Sequence, residues 1–389
     1  MTSALGWWCR SGAAALLALA PGCATLAPRP VSVVRADPME VKGDLELERL
    51  NDEELFAQGS SAYAANEWKQ AARYFDRLAD FHLQSKHLRA AQYNAGLAHE
   101  RLEEWEAARA RFAELADAAK GQGDALDAAF RLAETLYHLS RFDEAAGLLS
   151  VVAERQDLAW NKRMEAQVQR GVCELEAEKS EAAEATLRKA MLWYQALTDK
   201  DEVDDYFPGQ AQFFLGEIYR LHYEKILLDP EKGTDVLAQD LEYKAELLLS
   251  AQGHYLRAIR LGNGYWATAS GQRVGGMYEN FYDHLLNTPA PKELNPEESE
   301  VYRQELRKKI RVLITKAINI YERTLEAAER IGAQSTFVDR TRDSLRKMKD
   351  LLVADAAQDD PAPAAVAAPP DPAPAPARRP KSRVSPRKN

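Results

Sequence analysis

Trp68-Lys69-Gln70-Ala71-Ala72-Arg73-Tyr74-Phe75, Trp105-Glu106-Ala107-Ala108-Arg109-Ala110-Arg111-Phe112 and Phe142-Asp143-Glu144-Ala145-Ala146-Gly147-Leu148-Leu149 are three copies of one phrase. Each holds an aromatic residue, alanine three places on, and a ring or leucine four places after that. The copies recur every 37 residues. Nine places before each aromatic stands a small residue: Gly59, Gly96 and Ala133. Small residues at these points let two helix backbones cross closely, because ridge-into-groove packing leaves little room for a side chain. One such helix pair cannot bury its apolar face alone, so copies must stack.

The phrase continues with lower fidelity. Gly171, Ala183, Leu187 and Ala190 form a fourth copy, with Ser180 where the aromatic stood. Gly216 and Tyr219 open a fifth, whose second helix, marked by Ala251, Tyr255 and Ala258, follows an insert around Asp229–Asp240. Gly275 and Tyr278 open a sixth, closed by Ala317 and Tyr321 after a Pro-containing insert near Asn287–Pro296. Ser335–Leu352 reads as a capping helix. This pattern resembles the tetratricopeptide repeat (TPR) family, whose unit is about 34 residues of helix–turn–helix. The resemblance covers roughly 52–352. It implies an all-α, TPR-type α-solenoid, a right-handed superhelix that holds a partner rather than running a reaction. The alternative is a plain helical bundle with chance periodicity.

The expected organisation is a leader at 1–22, a tether at 23–45 and a solenoid at 46–352. Within the solenoid, regular repeats occupy 52–196, divergent repeats with inserts 205–332, and the cap 335–352. In the leader, Arg10 precedes the short apolar run Ala13–Ala20, as in an export signal. Leu19-Ala20-Pro21-Gly22-Cys23 resembles a bacterial lipobox, with Leu19 one place early and Ala20 and Pro21 where Leu and a small residue are commoner. The resemblance implies that the Cys23 thiol receives a diacylglycerol and becomes the new N-terminus. Ala24 rather than Asp after it favours outer-membrane lipid, on the periplasmic side; an ordinary cleaved signal would instead leave a soluble periplasmic or secreted protein. Of the three cysteines only Cys173 then remains, so no internal disulfide can form. It reads as a small buried hydrophobe.

At the other end, 353–389 is Pro/Ala-rich and then basic, a composition that cannot bury enough surface to fold. From Pro361 on, Arg378, Arg379, Lys381, Arg383, Arg387 and Lys388 face one acid, Asp371. The segment carries +5 and leaves −14 for the rest of a chain of net charge −9. An anionic surface is its expected partner if it has one, and nucleic acid is not.

No catalytic, cofactor or metal site is expected. His82 and His87 are five apart and share no helix face, and no metalloprotease, nucleophile-elbow or P-loop string occurs. Gly262-Asn263-Gly264 reads as a turn or helix stop. Taking the phase from Gly59, Gly96 and Ala133, the groove positions include Phe56, Tyr63, Tyr93, Arg101, Phe130 and Tyr137, residue types that anchor interfaces. Packing between neighbouring helices is the competing role for these rings. The Lys and Asn set with which some TPR proteins clamp a C-terminal carboxylate is missing.

A second aromatic block, Tyr265, Trp266, Tyr278, Phe281 and Tyr282, with Tyr302 beyond it, lies in the divergent half. The stretch Tyr255–Leu352 is similar to the C-terminal block of exported TPR proteins of myxobacteria, some of which belong to gliding-motility machinery. The block is expected either to recruit envelope proteins or to close the end of the solenoid. The sequence therefore points to a lipid-anchored, non-catalytic scaffold for envelope proteins, in motility or secretion machinery. The rivals are an outer-membrane protein assembly factor and a cell-wall-binding or hydrolase-regulating module.

Overall fold

The computed structural model describes residues 46–197, 204–290, 292 and 294–359. Cys23, the leader, the tether and the basic segment lie outside them. The described residues form helices and no strand. In chain order these are α1 (Asp52–Ala64), α2 (Trp68–Phe81), α3 (Leu88–Arg101), α4 (Trp105–Leu115), α5 (Asp124–His138), α6 (Phe142–Ala153), α7 (Trp160–Glu176), α8 (Ser180–Gln195), α9 (Tyr206–Lys225), α10 (Thr234–Leu261), α11 (Gly264–Asn287), α12 (Pro296–Ile331) and α13 (Thr336–Asp359). They pair as α1/α2, α3/α4, α5/α6, α7/α8, α9/α10 and α11/α12, and α13 packs on α11 and α12.

A small residue of the phrase sets every pair, and in five of the six it is a glycine. A Cβ built on Gly59 would stand 2.8 Å from the Phe75 ring, and one on Gly96 2.6 Å from the Phe112 ring. Gly171 meets Leu187 at 2.7 Å and Gly216 meets the Tyr255 ring at 2.6 Å. Gly275 abuts the Tyr321 ring in the same way. The third unit uses Ala133 and Leu149, both fully buried. The sequence pattern expects the alanine of the phrase opposite the small residue; the structure instead sets each glycine against the ring or leucine four places after that alanine, even where an insert separates the two helices.

In units one to four the turn between the paired helices is also constant. Asn66, Glu103, Ser140 and Glu178 all have positive φ, between 57° and 62°. After each, the chain closes a Schellman motif: Glu67 N–H donates to Ala62 C=O at 2.9 Å, Glu104 to His99 at 2.9 Å, Arg141 to Leu136 at 2.8 Å and Lys179 to Glu174 at 2.9 Å. Three of these four residues are neither glycine nor asparagine, so they bear a left-handed strain that the turn imposes.

The fifth unit lacks this turn and uses a lysine. Lys244 is fully buried on α10. Its Nζ donates to the carbonyls of Tyr223 at 2.8 Å and Ile226 at 2.9 Å, at the end of α9. A cation there satisfies carbonyls the helix leaves open. Burial pushes its pKa down to about 8.

The insert at Asp229–Asp240 is mostly helix, whereas the one near Asn287–Pro296 is the connection between α11 and α12. Only Pro230–Lys232, a short 3-10 turn, precedes α10, which runs 28 residues; α12 runs 36 and starts at an Asn295–Glu298 capping box. Asn263 caps α11, and Gly262 at φ 88° ends α10. The cap helix α13 continues to Asp359, seven residues beyond the boundary expected from sequence. It buries Phe337, Val338, Thr341 and Met348. Cys173 is a free, fully buried thiol whose pKa burial raises. No described helix is long and apolar enough to cross a membrane.

Two substitutions separate the crossing constraint from helix propensity. Replacing a mid-helix glycine by alanine normally stabilises by about 0.5–1 kcal/mol. Gly147, exposed on α6 with nothing near its Cβ direction, should follow that rule. Gly96→Ala should instead destabilise, by about 1–3 kcal/mol, as overpacking does. Denaturant unfolding of both variants measures the two signs. At the turn, Glu103→Gly should stabilise by about 1 kcal/mol in the same assay, since glycine carries no left-handed penalty.

Candidate partner-binding groove

The first helices of successive units form a row. α3 touches α5, α7 touches α9, α9 touches α11 and α11 touches α13. Lys162 of α7 lies 5.0 Å from the Phe130 ring of α5, and Tyr137 of α5 donates its hydroxyl to Glu176 of α7, which closes the row between units three and four.

Each ring expected in the groove is half-buried along this row. Phe56 stacks on His87 at 4.4 Å and also meets Phe75. Tyr63 packs edge-on against Trp68 at 4.8 Å, and Tyr137 against Phe142 at 5.2 Å, the equivalent place two units on. Tyr93 packs on Phe112 at 5.7 Å while its hydroxyl accepts from Arg131 of the next unit. Arg101, exposed, lies 5.7 Å from the Trp68 ring, and His138, one repeat later, stacks on Trp105 at 4.0 Å. The groove residues thus do both things: one side of each is packed between helices and the other remains on the row.

Charge is what the sequence reasoning missed. Glu100, Asp127, Glu134 and Glu165 sit among these rings. Arg131 lies 2.9 Å from Glu134 and 3.5 Å from Glu100, and Lys162 lies 3.1 Å from Glu165. Burial pushes Glu134 up to about 8, with Glu100 and Glu165 adding to the shift, and pushes Glu100 up to about 7. Burial also raises Glu165. Arg131 opposes these shifts without cancelling them. A signal was present: four places after the glycine of unit two stands Glu100, one place after Ala133 stands Glu134, and six before Gly171 stands Glu165. The same register that picks the rings picks these carboxylates.

Further along the row the charges are matched. Glu217 is buried and bound by Arg220 at 2.9 Å, Arg273 at 3.0 Å and the Tyr255 hydroxyl at 2.5 Å. These partners hold its pKa low against its burial. At the near end, His99 bridges Glu104 at 2.7 Å and Asp76 at 3.0 Å, tying unit one to unit two.

The C-terminal aromatic block is core. Trp266, Tyr278, Phe281 and Tyr282 are buried, and Tyr265 packs on Trp266 and on Phe337 of the cap helix. Of the two roles expected for the block, these contacts fill the one that closes the solenoid. Its rings cement α9, α11 and α13 and do not form an exposed recruiting surface.

Helix pairs set by a small residue at the crossing, repeated at 37–38 residues in units one to four and stretched beyond them, with first helices in a row, define the architecture. The fold is a TPR-type α-solenoid. No protein-family model matches the sequence, and no curated protein matches it. Among solved structures the chain is similar to a TPR repeat protein from Bacteroides fragilis (12% identity over 78% of this chain and 98% of that one, TM-score 0.30). It is also similar to a tetratricopeptide repeat protein from Parabacteroides merdae (11%, 77% and 98%, TM-score 0.35) and to an assembly chaperone of RpL4 (14%, 80% and 100%, TM-score 0.28).

The raised carboxylates fix a sign. A carboxylate with a folded pKa near 8 and an unfolded one near 4.5 is a cost that grows as pH rises through that interval, because the folded state holds the extra proton there. Glu134→Gln should therefore gain stability relative to the parent at pH 8, and the gain should shrink toward pH 5. Denaturant midpoints of both proteins between pH 5 and 8 give the comparison.

Proposed function

We propose that the chain is a non-catalytic scaffold that holds envelope proteins on the first-helix row of its solenoid. The observation that carries this reading is the row itself, where half-buried rings and under-neutralised carboxylates alternate across units one to four. Aromatic rings of this kind anchor protein interfaces when a partner completes their burial, and the carboxylates beside them select a partner that brings cations. The scaffold is tethered to outer-membrane lipid through an acylated Cys23, on the periplasmic side. More than one acyl chain makes such an anchor stable, each buried methylene contributing about 0.8 kcal/mol. The likeness of Tyr255–Leu352 to exported myxobacterial TPR proteins supports motility or secretion machinery as the setting.

The test is partner recovery from native membranes after reversible crosslinking. Tyr93→Ala combined with Tyr137→Ala should lower recovery about tenfold while the helical circular dichroism is kept. In the same cells Cys23→Ser should abolish palmitate incorporation and move the protein out of the outer-membrane fraction. Undiminished recovery from the double variant contradicts the groove assignment, and unchanged fractionation of the serine variant contradicts the anchor.

A further inference from the structure

The first-helix row of units two to five has more hydrogen-bond acceptors than donors. Arg131 is shared between Glu100 and Glu134, and Lys162 serves Glu165. Arg101 is the third cation near this cluster, and Asp127 is a fourth carboxylate acting on Glu165. Beyond these, Glu100 Oε1, Gln169 Oε1 and Gln210 Oε1 are buried and have no hydrogen-bond partner. They lie on α3, α7 and α9. Gln210 is 1% exposed and occupies the register of Asp127 and Glu165, six places before its unit's glycine. Buried acceptors are normally satisfied. One on α3 and two on the adjacent α7 and α9, with carboxylates short of cations on the same row, call for a ligand rich in N–H donors. A guanidinium supplies five in a planar fork, and the Tyr93, Phe130 and Tyr137 rings offer it faces.

The chain carries such a ligand. We propose that its own segment Arg378–Lys388 docks on the first-helix row of α3, α5, α7 and α9 and holds that face until a partner displaces it. This rests on reading the row as the partner face. Charge favours it, since a segment with four arginines and two lysines meets the acidic body of the chain. Reach allows it too. α13 ends at Asp359 beside the last unit: it packs on α11 and α12, and Asp355 near its end pairs with Arg311 of α12 at 2.6 Å. The 19 residues from there to Arg378 extend to roughly 60 Å. Five steps between packed helices, from α13 back to α3, cover about 40–50 Å. A cation entering the cluster favours ionised Glu100 and Glu134, so docking should tighten as pH rises from 6 to 8.

Zero-length carbodiimide coupling of the full chain tests the proposal, because it joins a lysine to a carboxylate only in direct contact. The expected result is coupling of Lys381 or Lys388 to Glu100, Glu134 or Glu165 within one chain, stronger at pH 8 than at pH 6 and lost in 1 M salt. A full chain with all six cations replaced by glutamine should show several-fold faster amide exchange in α3, α5 and α7, restored by a synthetic peptide of residues 377–389. Coupling confined to second-helix carboxylates, coupling only between chains, or equal exchange in both proteins overturns the proposal. So does binding to phosphatidylglycerol vesicles that needs the six cations while no row carboxylate is coupled. Equal exchange together with partner recovery that stays sensitive to Tyr93→Ala removes the docked segment and leaves the partner face standing.

Discussion

The close approach of a glycine to a ring on the paired helix is the constraint on which the rest depends. With no Cβ in the way, the Phe75, Phe112, Tyr255 and Tyr321 rings occupy the space a Cβ on the facing glycine would need. That contact fixes both the separation and the rotation of the two helices. Once rotation is fixed, every other position has an assigned face. The residues three before and four after the glycine go to the first-helix row, and those on the far side go to the second helix. The row is thus a consequence of the crossings and not a separate design.

The same logic explains how much could be read in advance. The small residue of all six crossings was legible, including Gly216 and Gly275 ahead of inserts, because steric exclusion restricts which residue can stand there; that it meets the later ring or leucine and not the alanine was not. The turn conformation was not legible. Asn66, Glu103, Ser140 and Glu178 share a left-handed backbone but no single residue type, since Schellman closure and not the side chain holds them. Lys244 was likewise hidden: a lysine in a polar stretch reads as solvated, and its burial follows only from where α9 ends. The inserts gave turn residues and charge, yet much of the first one, from Thr234 on, belongs to α10, and α12 runs on from the end of the second. The added turns of α12, before Ile310, are mostly exposed, so their charged, helix-favouring composition and the Asn295–Glu298 capping box hold them.

For the groove, the rings were legible and the carboxylates were not. Charges are scattered through all the helices, so Glu100, Glu134 and Glu165 look like solvated faces until the glycine register is applied to them. The C-terminal aromatic block shows the converse. Its rings were conspicuous in sequence, but Trp266 and Tyr282 are core residues that join the last units into one hydrophobic cluster running from Met164 to Met348. The regular half has smaller, separate clusters. Its units are bound to one another partly by polar links such as His99 between Glu104 and Asp76, and it is there that the row keeps unsatisfied charge.

Site-specific photo-crosslinking in the native host tests the central claim most directly. A benzophenone amino acid placed at Tyr93 or Tyr137 should give a covalent adduct with a protein partner. The same group at Phe81 or Leu192, exposed on second helices, should give none. Adducts from the second-helix positions with none from the row would contradict the account.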